Sequence, residues 1–377
     1  MAEKMDINND ILSWARDFTS TDIKQCHKTF GQEKYDKWES GKDQPTYLEL
    51  KKLGKLFRKP IAVFFFNNPP SFRSPMSNFR TLDNLNVIFS DNIVHKLENG
   101  RVMQLNLYEL HEGVNPSSNL ITEISFDVSS IQNTASQLRD ILKINLKEQK
   151  KFSSPDDAFK RWREAFYNIG VYVFKDAFND DSISGFCLYD PVFPVIFVNN
   201  SLAFNRQIFT LFHEIYHLIY QISGIDFLND PEFKDLDYKK IEHGCNEFAG
   251  AFLVPDLDFL PQITENTLDY LHLFSKKYSV SREVILTKLF YNNLITLDTY
   301  INKREELYND NFRNKGNSEK LTKGGGDYFL KIKSYKGHHY IDLVYNCYQN
   351  NKITLPQLAN YLDMKVESIN KLSSYLD

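Results

Sequence analysis

The stretch His213-Glu214-Ile215-Tyr216-His217 lies inside an apolar run at residues 208–219. The run predicts a buried helix, and residues four apart share one face of a helix. His213 and His217 can therefore present two imidazoles to one metal ion, with Glu214 beside them to accept a proton from the attacking water. This pattern is typical of zinc-dependent peptide hydrolysis. The alternative is a core helix in which both histidines are hydrogen-bonded within the protein.

A catalytic zinc site needs a third protein ligand, and residues 239–249 supply candidates for it. Glu242 is the preferred ligand, because Asn246 follows it by four residues on the same face of a predicted second helix. From that face the Asn246 side chain can hydrogen-bond a ligand histidine and orient its ring. His243 is a competing candidate, although its side chain leaves the helix about 100° away from that of Glu242.

Two segments resemble the ImmA/IrrE family of metallopeptidases. Residues 206–211, with the sequence RQIFTL, lead into the His-Glu-x-x-His pentad, and residues 242–255 contain Glu-x-x-Cys-Asn-x-Phe-Ala and end in Pro. The resemblance implies a zincin-like domain of gluzincin type in which His213, His217 and Glu242 hold Zn²⁺ and Glu214 is the general base. It also implies a protein substrate, a transcriptional repressor cut at one site in a stress or phage response.

Two positions depart from the family pattern: Tyr216 stands where Gly is common, and Cys245 stands where Ala is common. Cys245 follows Glu242 by three residues and is expected on the side of the helix that faces the metal. One interpretation is a small buried core residue, as free cysteines often are. The other is a thiol close to zinc that tunes the site or switches it by oxidation.

The composition predicts a globular protein with ample core and no strong attraction to polyanions. The chain has 377 residues, 42% of them hydrophobic, and a net charge of −4. Its four cysteines are widely spaced, which argues against a disulfide framework and for a reducing compartment. The first residues lack the apolar region of a signal peptide, and no apolar stretch is long enough to span a bilayer. We therefore expect a cytoplasmic protein without a membrane partner.

Residues 9–66 predict a compact helical unit, in which the pattern Trp-Glu-Ser-Gly-x-x-x-Pro-Thr at 38–46 is similar to helix-turn-helix repressors of the Xre/Cro type. In that fold the helix after Gly31 enters the major groove, which would place Gln32, Lys34 and Lys37 nearest the bases. Acidic residues on the same short helix would repel phosphates. DNA binding and a role as a protein-docking module therefore both remain open.

The fold class is predicted as α+β and mostly helical, with four regions. They are a helix-turn-helix domain at 1–70, a linker and helical connector at 71–150, a metallopeptidase domain with a small β-sheet at 151–308, and a flexible joint with a small helical unit at 309–377. The apolar stretch Val195-Ile196-Phe197-Val198 directly precedes the metal helix. We assign it as the strand along which an extended substrate pairs through main-chain hydrogen bonds.

Three functional hypotheses remain. The preferred one is a site-specific zinc endopeptidase that carries a docking or DNA-binding head. The second is a DNA-binding regulator or antitoxin-like protein whose metallopeptidase fold serves as a sensor or docking module. The third is a binding module whose zinc is structural. The sequence leaves the oligomeric state open, with a homodimer as one possibility.

Overall fold

The computed structural model describes residues 4–18, 21–57, 59, 61–68, 91–117, 121, 125–127, 129–178, 182–227, 236–318 and 328–372. Helices predominate and one four-stranded sheet is present, in agreement with the α+β prediction. The described residues up to 68, with 91–94, form one compact unit, and those from His95 onward form another. The four-region division stays a prediction, and most of its linker and its glycine-rich joint lie outside the described residues. None of the described helices combines the length and apolar composition that a membrane span requires.

The N-terminal unit contains four short helices and one 3₁₀ turn. Asp22 caps the second helix through the Lys24 amide, and Gly31, with φ of 88°, separates the second helix from the third. Thr46 and Glu49 form a reciprocal capping box that starts the fourth helix. The elements are α1 (Asn9–Phe18), α2 (Ile23–Phe30), α3 (Gln32–Glu39), α4 (Tyr47–Leu56) and the 3₁₀ turn Ile61–Phe65.

The second unit holds the sheet and the remaining helices, and α5 contributes residues to both units. Up to the first long buried helix, the elements are α5 (Asp91–Leu110), α6 (Ile131–Leu142), α7 (Leu146–Gln149), α8 (Pro155–Asn168), β1 (Tyr172–Asp176), β2 (Ile183–Leu188), β3 (Val195–Asn199) and α9 (Phe204–Ile219). After α9 come β4 (Gly224–Phe227), α10 (Leu236–Leu253), α11 (Asp256–Phe259), the 3₁₀ turns Leu260–Gln262 and Thr267–Tyr270, α12 (Leu271–Tyr278), α13 (Arg282–Tyr291), α14 (Leu297–Ser318), α15 (Tyr328–Lys336), α16 (His338–Gln349), α17 (Leu355–Tyr361) and α18 (Val366–Leu372).

Helix α14 corrects one sequence-based expectation. The polar segment from Asn309 was predicted to begin a flexible joint, but α14 runs without interruption to Ser318. Its many charged and amide side chains suit a solvated helix surface as well as a loop, and composition alone does not separate the two.

The sheet has the strand order β1-β3-β2-β4, so β3 lies in its interior. β3 pairs in parallel with β1, where Val173 lies opposite Ile196, and antiparallel with β2, where Phe186 lies opposite Phe197. Both edges of β3 are therefore used within the sheet. The assignment of Val195–Val198 as the strand that receives substrate is wrong, because its main-chain groups already have partners. β4 pairs with β2 on one side and is an edge strand of the described sheet.

Helix α9 is buried along its length, from Gln207 to Ile219. One of its faces packs on the sheet, and aromatic rings of neighbouring helices cover another. The ring centroid of Phe212 lies 5.0 Å from that of Trp162 of α8 and 4.1 Å from that of Phe252 of α10. Such contacts bury large apolar areas and fix helix positions. They hold the helix that carries the pentad between the sheet and α10.

Candidate metal centre

His213 and His217 lie on one face of α9, as the spacing predicts. Their ring centroids are 5.2 Å apart, and each side chain is only 1% exposed. Because α9 packs against the sheet on one face and against neighbouring helices on another, its backbone cannot easily shift. The two imidazoles are therefore held beside each other within the core.

Helix α10 brings Glu242 to both imidazoles. Its Oε2 atom lies 3.1 Å from Nε2 of His213, and its Oε1 atom lies 3.3 Å from Nε2 of His217. Oδ1 of Asn246, one turn further along, lies 3.2 Å from Nδ1 of His213. That contact lets His213 donate from Nδ1 and leaves its Nε2 lone pair directed at Glu242. The predicted pairing of Asn246 with a ligand histidine is thus present.

These donor atoms suit a tetrahedral cation. With zinc–nitrogen and zinc–oxygen distances of about 2.0–2.2 Å, the ligand atoms of a tetrahedral site lie roughly 3.3–3.6 Å apart. The contact of Glu242 with His217, at 3.3 Å, is of this size, and its contact with His213, at 3.1 Å, is slightly shorter. Nε2 of His213, Oε1 of Glu242 and Nδ1 of His217 are buried and form no hydrogen bond of acceptable geometry. Buried polar atoms without partners are costly, and a bound cation would give Nε2 of His213 and Oε1 of Glu242 a partner.

The electrostatics of the centre also favour a cation. Burial alone would lower the pKa of His213, but Asp226 and Glu242 raise it to about 10. Burial opposes ionisation of Glu242, yet His217 and His213 hold its pKa well below the usual range. The surroundings thus stabilise positive charge at the point where the three side chains meet.

Cys245 offers a further donor atom. Its Sγ lies 3.5 Å from Nε2 of His217, and the ligand atoms of His213, His217 and Cys245 all lie within 4.8 Å of one another. Burial, with Glu242 next in importance, raises the pKa of the thiol well above its usual value. Cys245 therefore stands close enough to be a ligand, although its surroundings oppose the thiolate form that a ligand needs.

Glu214 lies beside the two histidines with its side chain fully buried. Neither carboxylate oxygen forms a hydrogen bond of ordinary geometry among the described residues. Burial raises the pKa of this carboxyl group to about 7, while His217, His213 and, slightly, the nearby thiol of Cys187 act in the opposite direction. A carboxylate with a pKa near neutrality is suited to accept and return a proton.

His243 does not belong to this centre. Its side chain is 60% exposed, lies 3.9 Å from a carboxylate oxygen of Glu247 and packs edge-on against the ring of Tyr291. The direction of its side chain on α10, which differs from that of Glu242, explains this position.

A buried carboxylate that the sequence analysis missed, Asp226 of β4, joins the sheet to α9. Its side chain is 2% exposed and accepts hydrogen bonds from Arg206 at 2.9 Å, from Oγ1 of Thr210 at 3.0 Å and from Oγ of Ser184. The signal was present in the sequence, because an acidic residue between Ile225 and Phe227 in a short apolar strand is unusual. Through its ion pair with Asp226, Arg206 anchors the first turns of α9.

Replacement of Asp226 by Ala should lower the free energy of unfolding by about 3 kcal/mol, the lower end of what loss of one partner from a buried ion pair costs. The lower end applies because Arg206 keeps 31% of its side-chain surface exposed. Urea unfolding in the presence of a chelator measures this effect without a contribution from bound metal. Glu306→Ala, which removes an exposed partner of Lys303, is the control and should change stability by less than about 0.5 kcal/mol. Equal effects of the two substitutions would contradict the assigned role of Asp226.

The predicted base-reading residues lie on α3 of the N-terminal unit. Gln32, Lys34 and Lys37 are exposed, whereas Tyr35 and Trp38 of the same helix are buried. Lys34 forms an ion pair with Glu49, and Lys37 contacts Glu33 at 2.8 Å. Each lysine would have to break its ion pair with a glutamate to contact DNA. DNA binding by this helix therefore stays a prediction.

Comparison with known families matches residues 168–290 to the family model described as IrrE N-terminal-like domain, Peptidase_M78. This segment contains the whole sheet, α9 and α10, and therefore the pentad and Glu242. The match identifies this part of the chain as a domain of metallopeptidase type and does not include the N-terminal unit. No curated protein matches the chain.

Proposed function

We propose that this chain is a zinc-dependent, site-specific endopeptidase that cuts a partner protein, a transcriptional repressor, in a regulatory circuit. The observation that carries the proposal is the convergence of His213, His217 and Glu242, with contacts of 3.1 and 3.3 Å between the carboxylate and the two rings, and with the buried carboxylate of Glu214 on the same helix as the histidines. The match of residues 168–290 to a metallopeptidase family supports it.

The proposed chemistry divides between the cation and the chain. When bound, zinc would act as a Lewis acid that makes water acidic and polarises the scissile carbonyl. His213, His217 and Glu242 would hold it, and Asn246 would orient the ring of His213. Glu214 would take a proton from the attacking water and pass it to the leaving amine. Its raised pKa suits both steps.

The substrate is proposed to pair along β4 rather than β3. β4 is an edge strand, and its first residue, Gly224, lies directly against the imidazole of His217. A peptide added to this edge through main-chain hydrogen bonds would pass close to the metal ligands. Specificity for one protein would come from contacts away from the metal, for which the N-terminal unit is a candidate.

The test is cleavage of the repressor encoded in the adjacent reading frame. The purified chain with one equivalent of zinc should cut that protein at a single site, identified by mass spectrometry of the products. A chelator should stop the cut, and added zinc should restore it. Cleavage that continues without metal would contradict the proposal. A zinc-loaded protein that cuts no candidate repressor would favour the sensor hypothesis.

Whether Cys245 binds the metal distinguishes a catalytic zinc site from a structural one. We expect Cys245→Ala to bind one zinc per chain with little change in affinity, because Glu242 is the proposed third ligand. Glu242→Ala should weaken zinc binding by more than the roughly 10- to 100-fold that loss of an outer hydrogen-bond partner costs. Competition with a chromophoric chelator measures both affinities, and Glu247→Gln, an exposed position on the same helix, is the control.

Cobalt substitution gives an independent readout for the same prediction. A thiolate ligand produces a sulfur-to-cobalt charge-transfer band, which we expect to be absent. Loss of zinc from Cys245→Ala together with such a band in the parent chain would favour a site closed by protein ligands, and hence a structural metal.

A further inference from the structure

A cavity of about 940 Å³ lies between α8, β1 and the C-terminal helices α15 and α16. Its volume is within the roughly 300–1,000 Å³ range of pockets that bind small molecules. None of the residues of the metal centre lines it. Seven lysine or arginine side chains and four carboxylates line its wall, so its charge is predominantly positive.

Lys175 of β1 is the most unusual of these side chains. It is only 5% exposed, and its Nζ lies 3.9 Å from the ring centroid of Phe159 and 4.4 Å from that of Phe204. No described carboxylate lies within ion-pair distance of this ammonium group. Burial, followed by the charge of Arg163, lowers its pKa to about 7. An ammonium group buried against two aromatic rings without an anion is costly unless a ligand supplies one.

Arg163 of α8 adds a second cation, and no carboxylate of the described residues pairs with its guanidinium. Its Nη1 donates to the carbonyl of Ser334 at 2.8 Å and its Nη2 to the carbonyl of Tyr335 at 3.0 Å, at the C-terminal end of α15. The guanidinium lies against Gly337, where a Cβ atom would come within 2.6 Å of its Cζ. Close contact of this kind requires glycine at 337, which also has φ of 79°.

Gly337 is also the N-cap of α16, a twelve-residue helix, and no side chain caps that end. The first amides of a helix have no acceptor within the helix and carry partial positive charge. Lys175, Arg163 and Gly337 all line the cavity, and the guanidinium of Arg163 lies against Gly337. Three sources of positive charge therefore contribute to its wall.

Three of the four carboxylates of the cavity wall are paired with other side chains. Asp156 pairs with Lys160 at 2.6 Å, and Asp157 pairs with Arg161 at 3.1 Å. Glu164 lies 2.7 Å from His339 and 3.3 Å from His338, a group that could in principle hold a metal ion. The guanidinium of Arg163 and the N-terminus of α16 beside that group disfavour a cation and favour an anion.

We propose that this cavity binds a small organic anion whose phosphate or carboxylate group is received by Lys175, Arg163 and the first amides of α16. An anionic oxygen at this point would give the Lys175 ammonium its missing partner and occupy a helix N-terminus, which is a ready-made anion site. The remaining volume would accommodate the organic part of the ligand. This site does not depend on the proposed peptidase activity.

Calorimetric titration of the full chain tests the proposal with inorganic phosphate, adenosine 5′-monophosphate and succinate as probes. Binding of the two phosphate probes alone would assign a phosphate-bearing ligand, and binding of succinate alone would assign a carboxylate. Lys175→Met should weaken the binding by about tenfold or more, the effect of losing one charged hydrogen bond. Lys303→Met, which removes a half-buried lysine of α14 that does not line the cavity, should leave it unchanged.

Two variants at position 175 distinguish a loss of binding from a loss of folding. Lys175→Met places an apolar end between Phe159 and Phe204 and should melt at or above the temperature of the parent chain. If it does not fold, Lys175→Gln provides the same test with a neutral polar end. Absence of binding by all three probes at millimolar concentration, or binding that Lys175→Met leaves intact, would overturn the proposal.

Discussion

Glu214→Gln should bind zinc as tightly as the parent chain and cleave the partner protein roughly 100- to 10,000-fold more slowly, the range that general acid–base catalysis contributes. Glutamine keeps the shape of the side chain, and Glu214 is not among the residues proposed to hold the metal. The amide cannot accept a proton from water. The fully buried position also means that no exposed carboxylate can take over its role without a change in the fold.

The measurement combines zinc content by mass spectrometry with the rate of appearance of the cleaved fragment. Glu247→Gln on α10 is the matched control, because it makes the same chemical change at an exposed position. A variant that loses both zinc and cleavage would mean that Glu214 has a structural role. Full activity of Glu214→Gln would rule out its role as the general base.

Gly224→Ala should have the second largest effect, although position 224 carries no functional group. A Cβ atom there would lie 2.3–2.5 Å from three atoms of the His217 ring, far inside van der Waals contact. Either β4 or the imidazole must move, and both are held within the core. We expect zinc affinity to fall by at least about tenfold, because displacement of a ligand ring should cost no less than loss of the hydrogen bond that orients it.

Gly250→Ala is the control for this prediction. Gly250 lies in α10, and a Cβ atom there meets nothing within 4 Å outside its own helix. Alanine is favoured over glycine in a helix, so this substitution should raise stability by up to about 1 kcal/mol and leave zinc binding unchanged. Zinc titration and thermal unfolding of the two variants give the comparison. Unchanged zinc affinity in Gly224→Ala would contradict the expected displacement of the His217 ring.

Much of the metal centre could be predicted from sequence because its parts are local. The four-residue spacing of His213 and His217 places both rings on one helix face, and the same spacing links Glu242 to Asn246. The caps at Ser154 and Ser281 are equally local, because each side chain accepts a hydrogen bond from an amide three residues further along. Helical periodicity and capping depend on residues only a few positions apart.

Strand order could not be predicted in this way. The apolar stretch at 195–198 has the composition of a strand in either the interior or the edge of a sheet. Its interior position follows from pairing with β1 and β2. Such pairings depend on which distant segments meet, and period-two alternation carries no information about that choice.

The sequence by itself determined which side chains share a helix face, and hence the two imidazoles and the two carboxylates proposed to form one site. The tertiary structure alone decided what surrounds them. It placed Asp226 under α9, Gly224 against His217, and Lys175 in a cavity with no described carboxylate at ion-pair distance. The physical reason is the separation of the residues in sequence. Spacing within one helix fixes which way its side chains point, whereas these contacts join residues of different elements and form only when the core packs.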